Sequence, residues 1–484
     1  KVKKEIEKGD SRKLGFGTLV AIVFGMMVGS GLYNIPQNLA SGAGPGAVAL
    51  SWVITAAGML LLVATFKILS DRRPDLDAGI YQYAQVGFGN FAGFNIAWGY
   101  WLCTAFANVA YAVMLNDSFG AFFPALLGHG WQTLIFGSVL IWAMYFLVAG
   151  GIKTARLLNN LLAVIKVAAI LLIAVLLVIN VKAGVFTGNF MEESIGEESL
   201  WTQVKNTMMV TLWCFIGIEG AVMMSARAKR HSDVGKAGVT GFFIAWLLYV
   251  LVSMLCFGVM NRAKLAGLDD PSVAYVLRDI CGGWAYYFVV LSVIVSLLGG
   301  WLAWTLICAQ VPYEAAVVKI FPRSFLKTNR HGMPGYGLLV SSVVMQVFLV
   351  MVMMADDVYM AALTITGMMV LPAYLSGGMY LWKESFGRSG MNKARKGTLL
   401  RYRAVGILCT LYCIWMIYAG GLKLFMLTSI FYISGIGFYL KARAERREEG
   451  SLRFTHADRI TLALLIIGLA GSMIYIITLI PSRI

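Results

Sequence analysis

The sequence predicts an all-α polytopic membrane protein, and three observations support this fold class. The composition is 59% hydrophobic and only 13% charged, far from the average of soluble globular proteins. Apolar runs of about 20 residues, the length that crosses the hydrocarbon core, recur along the whole chain. Glycine-rich interruptions lie within two of these runs, residues 14–40 and 200–226.

Thirteen apolar runs are long enough to be predicted as spans. Most connecting loops are short, and the longer outer loops are predicted at 181–199 and 261–283. In chain order the predicted spans are 14–40, 47–69, 88–123, 131–150, 159–180, 200–226, 239–260, 284–310, 336–354, 358–382, 403–420, 422–440 and 460–480.

The formal charge of +16 predicts orientation in the membrane and not binding to nucleic acid. Of the 40 basic residues, 32 fall in the tail and loops on one side of the predicted spans. Because basic residues concentrate in cytoplasmic loops, this asymmetry predicts a cytoplasmic N-terminus. We expect a multi-pass protein of the bacterial inner (plasma) membrane, with the lipid bilayer as its surroundings.

The first span has an unusual centre, Gly29-Ser30-Gly31, followed by Pro36. Glycine costs roughly 1 kcal/mol relative to alanine inside a helix, and proline removes a backbone N–H. A break here would free backbone polar groups, which at membrane depth must line a cavity or be buried in protein. The stretch is therefore a candidate binding site, although small residues four apart also suit a close helix crossing.

The sixth span holds the second interruption, where Gly217 and Gly220 flank the carboxylate of Glu219. Two interrupted segments five spans apart indicate inverted repeats with a binding site between them. The predicted architecture is a 5+5 inverted-repeat transporter fold with discontinuous spans 1 and 6. Its parts are a tail at 1–13, a first repeat at 14–180, a second repeat at 200–384 and three accessory spans in 403–484.

Two motifs resemble those of the amino acid–polyamine–organocation superfamily. They are Gly25-x-x-x-Gly29-Ser30-Gly31-x-x-x-x-Pro36 in the first span and residues 211–219 in the sixth. The resemblance extends over ten spans and includes Gly299-Gly300-Trp301. It is greatest to the basic amino acid/polyamine antiporters, a group that includes arginine/agmatine exchangers and arginine/ornithine antiporters.

The breaks suit a zwitterionic head group. N–H groups of Ser30 and Gly31, beside Gly29, would bind an α-carboxylate at a half-helix N-terminus, where the dipole favours an anion. The carbonyls around Trp213, Phe215 and Ile216 would then face the α-ammonium. In the superfamily the position of Trp213 is a gate over the substrate; an ordinary packing tryptophan is the alternative.

Gating or proton-linked roles are expected for four other residues. Glu219 is an intramembrane carboxylate, which is costly enough to suggest function; the resemblance places it at an inner gate with Tyr100, and a structural hydrogen bond is the alternative. Lys166 lies within the fifth span, where it would either bind carbonyls of the unwound first helix or snorkel to the surface. Tyr374 lies beside the superfamily's tenth-span tyrosine position, which is Ala373 here.

Recognition of the substrate side chain falls to other helices. Asn108 aligns with a superfamily asparagine that bonds a guanidinium, and Thr104 lies on the same helical face. Trp301 aligns with an aromatic residue that stacks on the cationic group, which cation–π attraction favours. The superfamily serine of the eighth span is Leu297 here, with Ser296 adjacent. These departures leave ornithine, lysine and polyamines open as substrates.

The predicted function is exchange of cationic amino acids by alternating access, arginine for ornithine first. A proton-coupled or uniport permease for basic amino acids and an amino acid/polyamine exchanger would show the same breaks. A channel would need a continuous polar path, and no span shows a regular polar stripe. An enzyme would need a nucleophile and base or a metal set at membrane depth, for which Glu219 and Lys166 in separate helices are a weak case. We expect no cofactor, no bound metal and no catalytic residues. The expected partners are a cationic amino acid and a second copy of the chain in a homodimer.

Overall fold

The computed structural model is all-α. It describes residues 15–29, 31–76, 78–127, 130–190, 198–223, 228–354, 358–386, 396–446 and 456–479, and no β-strand occurs among them. Ser30 lies outside the described residues, as does the N-terminal tail.

The α-helices up to the sixth span's break follow the predicted spans closely. In chain order they are α1 Phe16–Met27, α2 Gly31–Gly42, α3 Pro45–Arg72, α4 Ile80–Phe88, α5 Asn90–Gly120, α6 Trp131–Ala149, α7 Ile152–Asn180, α8 Ala183–Phe190 and α9 Leu200–Trp213.

The second half continues the pattern. Its helices are α10 Gly220–Met223, α11 His231–Phe257, α12 Arg262–Ala266, α13 Ser272–Cys281, α14 Gly283–Val317, α15 Gly335–Val352, α16 Val358–Phe386, α17 Lys396–Gly420, α18 Leu422–Ser434, α19 Ile436–Ala444 and α20 His456–Leu479.

Ten helical segments in the described part of the chain are long and apolar enough to cross a membrane, with α18 and α19 counted as one segment, or eleven if α1 and α2 form one span. The predicted all-α polytopic fold class is confirmed. The short helix α4 before the third span was not predicted. The loops predicted at 181–199 and 261–283 contain α8, α12 and α13, which are too short to span a membrane.

Burial separates the central spans from the peripheral ones. In α5 the most apolar window is 94% buried and in α14 it is 72% buried, whereas in α20 it is only 11% buried. The third and eighth spans therefore form the centre of the bundle, and the last span lies at its edge. The division into two inverted repeats stays a prediction.

Both expected breaks are present. Helix α1 ends at Met27 and α2 begins at Gly31, with a 44° bend between them. Helix α9 ends at Trp213 and α10 begins only at Gly220. The two breaks touch, because a Cβ built on Gly217 would lie only 2.9 Å from Met26 Cβ. The φ of Gly217 is +109°. The left-handed φ there suits glycine.

Candidate substrate site

The carbonyl groups freed by the first break are bound by side chains from three other spans. Lys166 Nζ donates to the carbonyl oxygens of Gly25 at 3.2 Å and Val28 at 2.6 Å. An ammonium placed against a helix C-terminus is favoured by the helix dipole. Lys166 is only 4% exposed, so its ammonium lies inside the protein and ties the fifth span to the first.

Two aromatic side chains bind the carbonyls between these positions. Tyr249 Oη donates to the Met27 carbonyl at 2.7 Å, and Trp304 Nε1 donates to the Met26 carbonyl at 3.3 Å. Every carbonyl from residue 25 to 28 therefore accepts a side-chain hydrogen bond. Because unsatisfied carbonyls at membrane depth would be costly, these donors stabilise the broken conformation.

A narrow cavity lies where the two breaks meet. It offers about 10 Å³ to the centre of a water molecule, which is room for about one water. The space between the two breaks is therefore narrow in this conformation. Its walls come from spans 1, 3, 6 and 8: Met26, Met27, Gly29, Gly31, Ala107, Tyr111, Trp213, Ile216 and Trp304.

Glycine is required at the cavity wall by close approach of aromatic side chains. A Cβ on Gly29 would lie 2.2 Å from Tyr111 Oη. A Cβ on Gly31 would lie 3.3 Å from Trp213 Cδ1 and 3.4 Å from its Nε1. The first span thus brings bare backbone to the cavity, and Trp213 of the sixth span covers it.

The sixth-span residues divide between the cavity and the core. Trp213 and Ile216 line the cavity. The ring of Phe215 packs instead against Trp52, Phe242 and Tyr249, with centroids 6.1, 5.0 and 5.8 Å away. The carbonyls of Trp213 and Phe215 accept local turn bonds from the N–H groups of residues 216 and 218. A carbonyl has a second lone pair, so these bonds leave each oxygen able to accept again.

At the end of the sixth-span break, a buried carboxylate connects three spans. Glu219 Oε1 accepts a hydrogen bond from Tyr100 Oη at 2.6 Å, and Oε2 accepts one from Tyr374 Oη at 2.7 Å. The backbone N–H of Gly217 also donates to Oε2 at 3.2 Å. Two tyrosines and the break itself therefore converge on one side chain.

The residues expected to read the substrate side chain are buried on the third and eighth spans. Thr104 Oγ1 donates to the carbonyl of Trp101, and Asn108 Nδ2 donates to the carbonyl of Thr104 at 2.7 Å. Asn108 Oδ1 accepts from Thr305 Oγ1 at 3.1 Å. The amide of Asn108 thus bridges the third and eighth spans.

Trp301 and Ser296 lie apart from the cavity wall. Trp301 is fully buried, and its Nε1 has no hydrogen-bond partner among the described residues. Trp304, almost one turn further along, lines the cavity in its place. Ser296 Oγ is 2.7 Å from Tyr33 Oη on α2, so it connects the eighth span to the second half of the first.

Sequence reasoning missed the cavity residues Ala107, Tyr111 and Trp304 and the carbonyl donor Tyr249. Tyr111 follows Asn108 by three residues and Trp304 follows Trp301 by three. Residues three apart share a helical face, so a search along the faces of the chosen residues would have found both. The tyrosine on the seventh span carries no comparable sequence signal.

Among the described residues, no group of three or more His, Cys, Asp or Glu side chains could hold a metal ion. The site instead consists of two broken helices, buried glycine backbone and a narrow cavity inside a polytopic bundle. These features define a membrane transport protein whose site lies at interrupted helices.

The comparison with known sequences gives the family. The amino acid permease family matches residues 14–440, and the chain belongs to this family. An arginine/agmatine antiporter of Chlamydia abortus is 40% identical over 445 residues, covering 90% of this chain and 91% of that protein. An arginine/ornithine antiporter of Pseudomonas aeruginosa is 38% identical over 468 residues, covering 95% and 96%.

Proposed function

We propose that this protein exchanges cationic amino acids across the membrane by alternating access, with arginine and ornithine as the preferred pair. The observation that carries the proposal is the meeting of the two broken spans at one cavity, with bare backbone at Gly29 and Gly31. A relative named as an arginine/ornithine antiporter covers nearly the whole chain. Exchange requires only that the empty carrier reorient slowly, so the two substrate gradients supply the drive.

The head group of the substrate would bind at the two breaks. The N–H groups of Ser30 and Gly31, beside Gly29, would hold the carboxylate at the start of α2. Carbonyls near Trp213, Phe215 and Ile216 would accept from the ammonium. The cavity must widen for this, and movement of the Trp213 indole, which covers Gly31, would provide part of the space.

The cationic side chain would reach towards the third and eighth spans. Asn108 and Thr104 offer an amide and a hydroxyl, and Trp301 offers an aromatic face for the cation. Ser296 would contribute only after its hydrogen bond with Tyr33 opens. Because Tyr33 belongs to α2, this contact would couple binding to movement of the outer half-helix.

The carboxylate of Glu219 with Tyr100 and Tyr374 would form the inner gate. The three side chains join the third, sixth and tenth spans, so separating them would open the cavity on that side. Lys166 would hold the unwound segment of the first span in place throughout the cycle.

Exchange of arginine for agmatine is a second candidate. Relatives of this name in Chlamydia species are 39–40% identical to the chain. Agmatine has no carboxylate, so it cannot use the proposed contact at residues 29–31. A preference for agmatine would therefore contradict that contact, while leaving the family assignment in place.

Counterflow in proteoliposomes tests the exchange. Labelled arginine should enter vesicles loaded with ornithine or arginine and should not enter empty vesicles. Uptake into empty vesicles would instead show uniport, or proton coupling if a pH gradient alone drives it. A binding competition among arginine, ornithine, lysine, histidine, agmatine and cadaverine would rank the substrates.

In the proposed arrangement the protein lies in the inner membrane with a cytoplasmic N-terminus. Each chain contains the repeats 14–180 and 200–384, and two chains form a homodimer. A single cysteine introduced at exposed Lys236 should react with an impermeant reagent only after the cells are opened. Reaction in intact cells would reverse the orientation. Single-molecule mass measurement in nanodiscs would give the number of copies.

A further inference from the structure

A basic pocket lies at the ends of the second and eleventh spans, away from the central cavity. It has a volume of about 300 Å³, which is within the size range of small-molecule sites. The lining combines two apolar residues of α3 with a polar rim from α3 and α17: Ala64, Lys67, Ile68, Asp71, Arg72, Arg401 and Tyr402. We refer to this set as the basic pocket.

Three cations and one carboxylate line the basic pocket, so its net charge is positive. Lys67, Arg72 and Arg401 have no carboxylate oxygen within 4.0 Å among the described residues. Asp71 is the lining's one carboxylate. Adjacent Arg73 behaves differently, since it pairs with Asp75 at 2.8 Å and lies 3.6 Å from Glu384.

Arg73 also affects the charge of its partner, because its guanidinium holds the pKa of Asp75 below the usual value. Asp75 therefore remains a carboxylate that neutralises Arg73. Among the described residues, no carboxylate oxygen pairs with the three cations of the basic pocket in this way, and they outnumber its one carboxylate, Asp71. An external anion is therefore favoured there.

Two of the pocket's side chains are positioned by packing. Arg72 Nε donates to Tyr402 Oη at 3.0 Å, and its guanidinium lies over the Tyr402 ring at 5.6 Å. The Lys67 stem packs against the seventh span, where a Cβ on Gly235 would lie 2.2 Å from Lys67 Cγ. The polar rim is thus held by three spans.

The edge of the basic pocket faces the lipid. Leu400, next to Arg401, is 67% exposed, and Phe386 at the end of the tenth span is 59% exposed. Large apolar side chains exposed on a membrane-spanning bundle contact acyl chains. The pocket therefore offers cations at the interface and apolar Ala64 and Ile68 deeper in.

From this arrangement we propose that the basic pocket binds the phosphate of an anionic phospholipid. The cations would contact the phosphate, with the Tyr402 hydroxyl as a further partner, while the glycerol and acyl groups would meet Ala64 and Ile68. Basic pockets between spans are suited to lipid head groups. A lipid bound there would link the second span to the accessory eleventh span. The site is independent of the proposed transport site.

The test measures lipid binding to the full-length protein by native mass spectrometry. Phosphatidylglycerol is compared with phosphatidylcholine for the wild type and for the Lys67→Gln/Arg401→Gln variant. A matched control, Lys236→Gln/Arg459→Gln, removes two exposed cations outside the pocket lining. Each basic side chain near an anionic membrane surface contributes roughly five-fold in affinity, so two contribute about 25-fold.

We expect phosphatidylglycerol affinity to fall about 25-fold in the pocket variant and to stay unchanged in the control. Equal losses in the two variants would overturn the proposal, because general surface charge would explain them. The single variant Arg401→Gln, at an exposed position, should show about a five-fold loss and avoids dependence on the double substitution. Unchanged phosphatidylglycerol affinity in Arg401→Gln would also contradict the proposed lipid site.

Inorganic phosphate provides the last comparison, with thermal stability in detergent as the measurement. Phosphatidylglycerol should raise the unfolding temperature of the wild type, and inorganic phosphate at the same concentration should not. Equal protection by inorganic phosphate would show that a free anion occupies the basic pocket, which would overturn the assignment to lipid.

Discussion

Replacing Gly29 by alanine is the most direct test of the candidate site. The new Cβ would lie 2.2 Å from Tyr111 Oη, 3.1 Å from its Cζ and 3.3 Å from its Cε1. Real Cβ atoms essentially never approach another heavy atom this closely. Tyr111 or the unwound segment must therefore move, and both line the cavity.

The size of the effect follows from the cost of overpacking. Inserting a methyl group into a packed interior typically costs about 1–3 kcal/mol. If this cost falls on the substrate-bound conformation, arginine affinity should decrease roughly 5- to 150-fold. The control is Gly25→Ala on the same span, because a Cβ there meets nothing within 4 Å.

The assay combines arginine binding in detergent with counterflow in proteoliposomes. Gly29→Ala should lose both, and Gly25→Ala should keep both. The double variant Gly29→Ala/Tyr111→Phe removes the hydroxyl and leaves 3.1 Å as the closest contact, so part of the loss should be restored. Equal behaviour of the two alanine variants would refute the reasoning. So would a double variant that binds arginine no better than Gly29→Ala, provided that Tyr111→Phe alone binds normally.

Three further predictions concern other parts of the site. Lys166→Met should lower stability and exchange, because two carbonyls lose a charged donor at about 1.5–3 kcal/mol each. Lys236→Met, at an exposed position, is the control, and equal thermal shifts in the two variants would contradict this. Glu219→Gln should flatten the pH profile of exchange, since an amide does not titrate; an unchanged profile would leave only a structural role. Trp301→Ala should weaken arginine binding far more than binding of a neutral amino acid. Trp304→Ala should weaken the binding of both ligands, because the Trp304 indole binds the Met26 carbonyl. Calorimetry with arginine and with a neutral amino acid measures the difference.

Local chemistry explains why both breaks could be predicted. Gly29 and Gly31 weaken helical structure without any help from neighbours, and the glycines around Glu219 do the same in the sixth span. Glu219 was noticed for a similarly local reason, namely that a carboxylate in an apolar segment is costly. Its pairing with Tyr100 came from the resemblance to a known superfamily.

The donors that make the first break stable could not be predicted in the same way. Lys166, Tyr249 and Trp304 lie more than a hundred residues from the carbonyls they bind. Only Lys166 was unusual enough in its segment to be selected. Tyrosine and tryptophan are common in apolar spans, so composition does not distinguish a carbonyl donor from a packing side chain.

By itself, the sequence determined the membrane class, the helical spans, the two interruptions and the expected orientation, because hydropathy, glycine content and loop charge act locally. Only the tertiary structure decided that Trp304 and not Trp301 lines the cavity, and that Glu219 receives Tyr374 as well as Tyr100. The rotation of each span about its axis settles these contacts. That rotation is set by packing against neighbouring spans, a property of the whole bundle that a single apolar segment does not encode.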